Sequence, residues 1–407
     1  MAFSTKTYFK KIYSPALLTE FYKRHDIVAV FEITEQTTRK NVVSIITEFY
    51  NSLDPGHKID IEKELALMSS ISTKYAPALF ISLLTRKGIP HEVTQIECIS
   101  DHDKVLYYYM FHRELFDEAL FFHDFYSTHG YMLYEAKEVD LIQTDLAMTE
   151  LKKEFTRIIY KEETSTDCDL LYQILDGIFY MSLTYEGAQV LQAKRDAVSG
   201  EIDRTKTVRR IEVVKIVYLP SDKEILITST TSKYEKLIFL DTFLRLVCGT
   251  GYEAKVESFN ITPFIDKTFD FTKTNIGVPL RTWKINAATL SFGNEKTKKK
   301  MKLTLPSTAA EYGLTPLHST LEEMGIMHDI KEYTPEIVAL TFSFTNAQKP
   351  DTSVHVRCVV SRTKSSLCPL FPYDRLARTL LKQAHIEQGF VEAAKKEHDA
   401  VREKWSL

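Results

Sequence analysis

Residues 208–248 read VRRIEVVKIVYLPSDKEILITSTTSKYEKLIFLDTFLRLVC, and this stretch decides the fold class. Val208 to Tyr218 is rich in β-branched side chains, which suit a pleated strand. Pro220-Ser221-Asp222 marks a turn, and Glu224 to Thr230 is a second run of the same kind. Together they predict an antiparallel hairpin. Ser232 then offers a cap to a helix in which Leu237, Ile238, Leu240, Phe243, Leu244 and Val247 recur at helical spacing. Gly249 and Gly251 supply the stop. A helix folded back on a hairpin is an α+β nucleus.

Toward the N-terminus the pattern is helical. Ser14-Pro15 gives a cap and a first-turn proline before ALLTEFYKRH. Thr37 or Thr38 opens a helix with the stripe Val42, Ile45, Ile46, Phe49 and Leu53, which Asp54-Pro55-Gly56 stops. Further helices run from about Lys58 and from Tyr75 to Arg86, the latter ending at Gly88 and Pro90. Val105 to Tyr126 is dense in aromatics and reads as one buried helix; Tyr131 to Glu135 reads as a strand and Thr144 to Tyr160 as a helix. Short loops between such stripes predict a helical bundle over residues 1–165. The polar segment Thr164 to Asp169 marks the boundary, and an α+β domain with the hairpin-helix unit spans 166–260. In it, Ile178 to Thr184 is a strand that Gly187 breaks.

Beyond the nucleus, Lys255 to Asn260 reads as a strand, and Asn260 to Leu280, with two prolines and no period, as a linker. Arg281–Phe292, Met301–Leu305, Ile337–Phe344 and Val354–Val360 are strands, and Thr308 to Met324 is a broken helical pattern. These make a second, strand-rich α+β module over 261–372. The tail, 373–407, is helical, with the stripe Leu376, Leu380, Leu381, Ile386 and Phe390; its outer face is solvated or docks on a partner. The expected fold is thus multidomain α+β: an N-terminal helical bundle, mixed antiparallel-sheet and helix modules, and a C-terminal helix. A chain of 407 residues suits two or three domains, at about 100–200 residues each.

Composition excludes several classes. With 44% hydrophobic and 26% charged residues the chain can bury sizeable cores. A formal charge of −3 removes the argument for a wholesale nucleic-acid binder but leaves room for a local basic patch. Cysteines at 98, 168, 248, 358 and 368 are odd in number and form no CxxC pair, which argues for free thiols in a reducing cytoplasm. The N-terminal lysines precede no apolar run of the signal-peptide kind, and no stretch approaches the roughly 20 apolar residues a membrane span needs. The expected location is cytoplasmic, with no membrane partner.

The motifs that carry chemistry are few. Gly249-Thr-Gly251-Tyr-Glu-Ala254 matches GxGxxA, but a dinucleotide site needs a strand before it and a helix after, the reverse of the order here. No GxxxxGK[ST] occurs. Glu-x-Lys triplets stand at Glu135/Lys137, Glu150/Lys152 and Glu253/Lys255, a number that chance alone produces at this composition. Asp124 with Glu135 and Lys137 has the spacing of a metal-dependent nuclease site, in which Asp124 and Glu135 would hold Mg²⁺ and Lys137 would stabilise charge on phosphate. His112 and His123 lie about 16 Å apart along a continuous helix, too far to share an ion, and His129 follows. Arg86 and His91 have the spacing of some helical ribonucleases, but Gly88 and Pro90 interrupt the stretch.

One charge feature has a direction. Lys296, Lys298, Lys299, Lys300 and Lys302 put five lysines into seven residues, and on a hairpin alternate members would face one side. Such a run attracts phosphates through counterion release; read without function, it is a solvated turn. The sequence therefore favours a cytosolic, non-enzymatic interaction or adaptor subunit of a multiprotein assembly, contacting nucleic acid through these lysines. The alternative is the Mg²⁺-dependent nuclease, the one reading that needs a cofactor. No residue points to a pathway; bacterial antiviral defence rests on base rates alone.

Overall fold

The computed structural model describes residues 3–33, 36–72, 76–90, 100–128, 130–139, 141–160, 168–191, 194–195, 202–203, 207–231, 233–253, 255–274, 276–277, 279–292, 299–305, 312–326, 333–346 and 351–392. They form two compact units, residues 1–129 with 173–180 and residues 130–172 with 181–407. The class is α+β, with helices at the N-terminus and in the C-terminal region and several antiparallel sheets.

The first unit is helical. Its helices are α1 (Thr5–Phe9), α2 (Pro15–Lys23), α3 (Arg39–Ser52), α4 (Pro55–Ile71), α5 (Ala76–Lys87), α6 (Asp101–Phe111) and α7 (Arg113–Ser127). Ser14, Thr38 and Asp54 each cap the helix that follows by accepting a backbone N–H. Ser100 and Asp103 make a capping box at α6. Asp103 is fully buried yet satisfied, since it also accepts the N–H groups of Tyr13 (2.9 Å) and Ser14 (3.0 Å). The core is strongly aromatic: Phe80 stacks on Tyr108 at 4.2 Å, and Phe122 and Phe125 meet Tyr180 edge-on at 5.0 and 5.3 Å. The single helix expected over Val105–Tyr126 is two. His112, at φ −137° and ψ 59°, leaves the helical region and separates α6 from α7.

The second unit begins with β1 (Met132–Glu135) and α8 (Leu141–Tyr160). The strands β2 (Asp169–Leu175) and β3 (Ile178–Leu191), whose residues 173–180 belong to the first unit, β4 (Lys194–Arg195), β5 (Ile202–Asp203), β6 (Thr207–Leu219) and β7 (Glu224–Ser229) follow, then α9 (Lys233–Val247) and β8 (Lys255–Phe259). Five strands join in the order β1-β7-β6-β3-β2. The hairpin read from the sequence is β6–β7, with Leu219 opposite Glu224 and Lys223 at φ 56° in the turn. Phe243 of α9 is fully buried and meets the Tyr218 ring at 6.1 Å. Gly187 does not end its strand. It lies inside β3, where an added Cβ would stand 2.6 Å from Cγ of Glu212 on β6, so glycine serves a close approach rather than a stop.

The rest of this unit holds β9 (Leu280–Phe292), β10 (Lys299–Thr304), α10 (Thr315–Glu323), β11 (Thr334–Thr345), β12 (Ser353–Ser361), β13 (Lys364–Ser365), α11 (Pro372–Gln383) and β14 (Glu387–Glu392). The order β10-β9-β11-β12-β13 makes a second antiparallel sheet. One face, carrying Trp283, Ile285, Leu290, Leu340, Phe342 and Val360, buries against α10 and α11. Residues 260–280 are not a linker. They form two 3₁₀ turns, Thr262–Ile265 and Phe271–Lys273, and Phe264 and Phe271 plug the same core. Their irregular aromatic spacing follows neither helix nor strand, which is why no period is visible. The tail differs too. Its helix ends at Gln383, His385 takes φ 57°, and Glu387–Glu392 is a strand paired with β8. Ile386 and Phe390 therefore leave the expected helical stripe; residues 393–407 lie outside the described ones. Among the described residues no helix is long and apolar enough to cross a membrane.

Candidate nucleic-acid interface

The second sheet buries one face and leaves the other open. Residues opposite one another on neighbouring strands share a face, so the register lays out its composition. Lys302 stands opposite Thr289, Thr289 opposite Ile337, and Ile337 opposite Ser361. Two rows on, Lys284 stands opposite Thr341 and Thr341 opposite Arg357; the next row is Thr282, Ser343 and His355. All point away from the core, because their strand neighbours Leu290, Leu340, Phe342 and Val356 are buried. Ile337 and Val359 are 42% and 46% exposed, so the face is open to solvent there, whereas Thr341 and Ser343 along its middle are buried between their longer neighbours. A bulge at the start of β9 brings Arg281 to the same side. Its guanidinium donates to the hydroxyls of Thr345 (3.2 Å) and Ser353 (3.4 Å), which pair across β11 and β12.

The charge of this sheet is one-sided. Strands β9 to β12 carry Arg281, Lys284, Lys299, Lys300, Lys302 and Arg357, against the single carboxylate Glu336. Lys300 holds that carboxylate at 2.6 Å. Neither Lys302 nor Arg357 has an ion pair among the described residues, and both are exposed. Of the lysine run, Lys299, Lys300 and Lys302 lie on β10, with Lys300 and Lys302 alternating with Met301 and Leu303. Lys296 and Lys298 lie outside the described residues. Lys284, Arg357 and Arg281 escape a search for charge runs, since each stands alone in an apolar strand. The signal for them is the alternation in β12, SVHVRCVVS, which sends His355, Arg357 and Val359 to the side opposite Val356, Cys358 and Val360.

The nuclease residues are placed differently. Asp124 is on α7 in the first unit, whereas Glu135, on β1, and Lys137 belong to the second. Glu135 pairs with Lys255 at 2.6 Å, and the same ammonium holds Glu253 at 2.8 Å, so two of the Glu-x-Lys triplets converge on one lysine. These hydrogen bonds, Glu135's first, raise the pKa of Lys255. Lys137 contributes its carbonyl, which accepts the Tyr218 hydroxyl at 2.5 Å. His123 is buried on α7, its pKa lowered by desolvation, and His129, like His91, lies outside the described residues. Among the described residues no three His, Cys, Asp or Glu side chains gather as a metal ion requires. At Gly249 to Gly251 the helix α9 precedes and β8 follows, and the Tyr252 N–H donates to Asp241 at 2.7 Å.

A buried charge cluster also lies in the second unit. Arg378 of α11 donates to both oxygens of Glu224, at 2.8 and 3.0 Å, and to Glu387 at 2.8 Å, with Glu257 at 3.5 Å. Lys382 stands 3.7 Å from Glu224 and 3.5 Å from Glu387. Burial raises Glu257 to a pKa of about 7, Glu387 and Glu224 adding to the rise and Arg378 opposing it. The cluster ties β7, β8, α11 and β14 together. Its arginine occupies the centre where a cation would otherwise sit.

No known protein family matches the chain, and no curated protein matches it either.

Proposed function

We propose that this protein is a non-enzymatic interaction subunit that contacts nucleic acid through the open face of its second sheet. One observation carries the reading: the open face of four adjacent strands holds five cations, Arg281, Lys284, Lys300, Lys302 and Arg357, against the carboxylate Glu336, in a chain whose formal charge is −3. Like charges held together on a rigid sheet repel, and a row of phosphates relieves that repulsion. The open face carries no Phe, Tyr or Trp among the residues named above, and His355 is its one ring, so it offers chiefly charge rather than a platform for stacked bases. Binding is therefore expected to be indifferent to base sequence, since phosphate contacts carry no base information. Cys248, Cys358 and Cys368 form no disulfide among the described residues, which fits a reducing, cytoplasmic compartment.

The test is anisotropy with labelled duplexes of unrelated sequence at several salt concentrations. Five neutralised phosphates would give a slope near −4.5 in log K against log salt, or a loss of about 10²–10³-fold between 50 and 200 mM. Exchanging Lys302 and Arg357 together for Glu is expected to weaken binding on every sequence and to flatten the slope by about 2. Both positions are exposed, so the fold survives. Equal affinity and equal slope for the two proteins would remove nucleic acid from this face.

A further inference from the structure

A cleft of about 710 Å³ opens beside the first residues of β9. Three aromatic side chains line it: Trp283, Phe269 and Tyr312. Trp283 is fixed in place. Its indole N–H donates to Asp270 at 2.8 Å, and its ring meets Phe269 edge-on at 5.9 Å. Tyr312 is 54% exposed and stands next to Gly313, which is clamped to β9 by two backbone hydrogen bonds, to Trp283 (2.7 Å) and from Ile285 (3.0 Å). Gly313 takes φ +63°, and an added Cβ would come within 3.5 Å of the Trp283 ring. The backbone thus approaches the indole closely enough to hold the aromatic wall without closing the cleft.

His318 of α10 lines the same cleft. Its residue is 6% exposed, and neither ring nitrogen has a hydrogen-bond partner. Buried polar atoms are nearly always paired, and an exception asks for a group that would pair it. Burial, and after it the charge of Lys267, lowers the pKa of His318 and keeps the imidazole neutral near pH 7. A neutral ring offers one donor and one acceptor. Of the charges nearby, Lys267 pairs with Glu322 at 2.9 Å, Asp270 accepts from Trp283 and Thr272, and Arg281 donates to the hydroxyls of Thr345 and Ser353.

We propose that this cleft binds a planar nitrogen heterocycle of the nucleobase type, its face against the exposed Tyr312 and its polar edge toward His318, with the buried Trp283 beneath the cleft floor. The volume falls within the roughly 300–1,000 Å³ of small-molecule sites, and the lining joins the aromatic residues to a larger set of polar ones, among them Thr272, Thr315, Ser319 and His318. The two ring nitrogens of His318 point apart, so one edge of a ligand meets one of them; a nucleobase, which carries both donors and acceptors, can pair that nitrogen whether it bears the proton or the lone pair. The ring has two possible sources, a free nucleoside or a base of a bound strand. Thr282 lines the cleft and also lies in the row of Ser343 and His355 on the open sheet face, so a strand on that face would run past the mouth. The cleft proposal stands on its own observations and does not require the polyanion reading.

Trp283 is a built-in reporter, because the chain has only two tryptophans and Trp405→Phe leaves it alone. In that background the emission is titrated with adenosine, guanosine, cytidine and uridine, and separately with a ten-nucleotide single strand of mixed sequence. The expected result is a saturable change that becomes at least tenfold weaker in His318→Ala and in Tyr312→Ala. Tyr312 is exposed, so its variant keeps the test decisive if His318→Ala fails to fold. A response to nucleosides assigns the site to a free ligand; a response to the strand alone assigns it to a presented base. The Lys302→Glu, Arg357→Glu protein separates the two readings: a nucleoside response that persists there, with no strand binding by the parent protein, sinks the sheet face and spares the cleft. No saturable response to any of these probes, or one unchanged in both variants, overturns the proposal.

Discussion

Arg378 is 4% exposed and faces three carboxylates, so no neutral side chain can replace it without leaving buried charge unopposed. Arg378→Leu is expected to cost about 3–5 kcal/mol in urea unfolding. The cluster also sets a pH dependence. Glu257 is raised from the ordinary carboxylate value of 4.5 to about 7, first by burial. Between those values the folded protein keeps a proton that the unfolded chain has lost. Its stabilising contribution is therefore complete below about pH 4.5 and is lost as pH rises through about 7, a change of up to about 3 kcal/mol. Glu257→Gln should flatten that part of the stability curve; a curve that keeps its slope would move the titration to another group. None of this is legible in the sequence. Glu224, Glu257, Arg378 and Glu387 each stand in a stretch whose local pattern is complete without the others, and only β7, β8, α11 and β14 coming together creates the cluster.

At the level of elements, the hairpin and helix of residues 208–248 were legible because each satisfies its own periodicity. Phe243 has no exposed surface and rests on Tyr218. Phe243→Ala is expected to cost about 3–5 kcal/mol, read as a lowered melting temperature; an unchanged one would make α9 peripheral. Elements were misread where one residue overrides a pattern. His112 interrupts an unbroken aromatic run, and neither glycine nor proline stands there to announce it. Gly187 announces a break that the chain does not make. Ile386 and Phe390 keep a helical spacing with Leu376 and Leu380, yet pairing with β8 draws them into a strand. Tertiary pairing outweighs local propensity in such short segments.

Seen as a whole, the molecule separates charge in a way its total conceals. A formal −3 spread evenly would repel polyanions, but the sheet concentrates cations on one side. The protein is therefore expected to be retained on a heparin column at low salt, and the Lys302→Glu, Arg357→Glu variant to elute earlier. Elution of both in the void would mean that the field of the face is cancelled by its surroundings. The lysine run hinted at this side of the molecule, since it is contiguous. Lys284 and Arg357 join it only through strand register, which no run of charge reveals.

Among the described residues β10 is also the last strand of its sheet, with no strand paired to its outer margin. An exposed strand margin invites another chain to add to it, and lysines are a common deterrent because two such margins cannot meet without bringing ammonium groups together. Lys300 and Lys302 are therefore expected to discourage copies of the chain from pairing at this margin. Replacing both by Val should produce soluble oligomers or precipitate, seen by light scattering, where replacement by Glu leaves a monodisperse solution. Any ligand that neutralises these lysines removes the same protection while bound, and would make the strand margin a place where copies of the chain join along it.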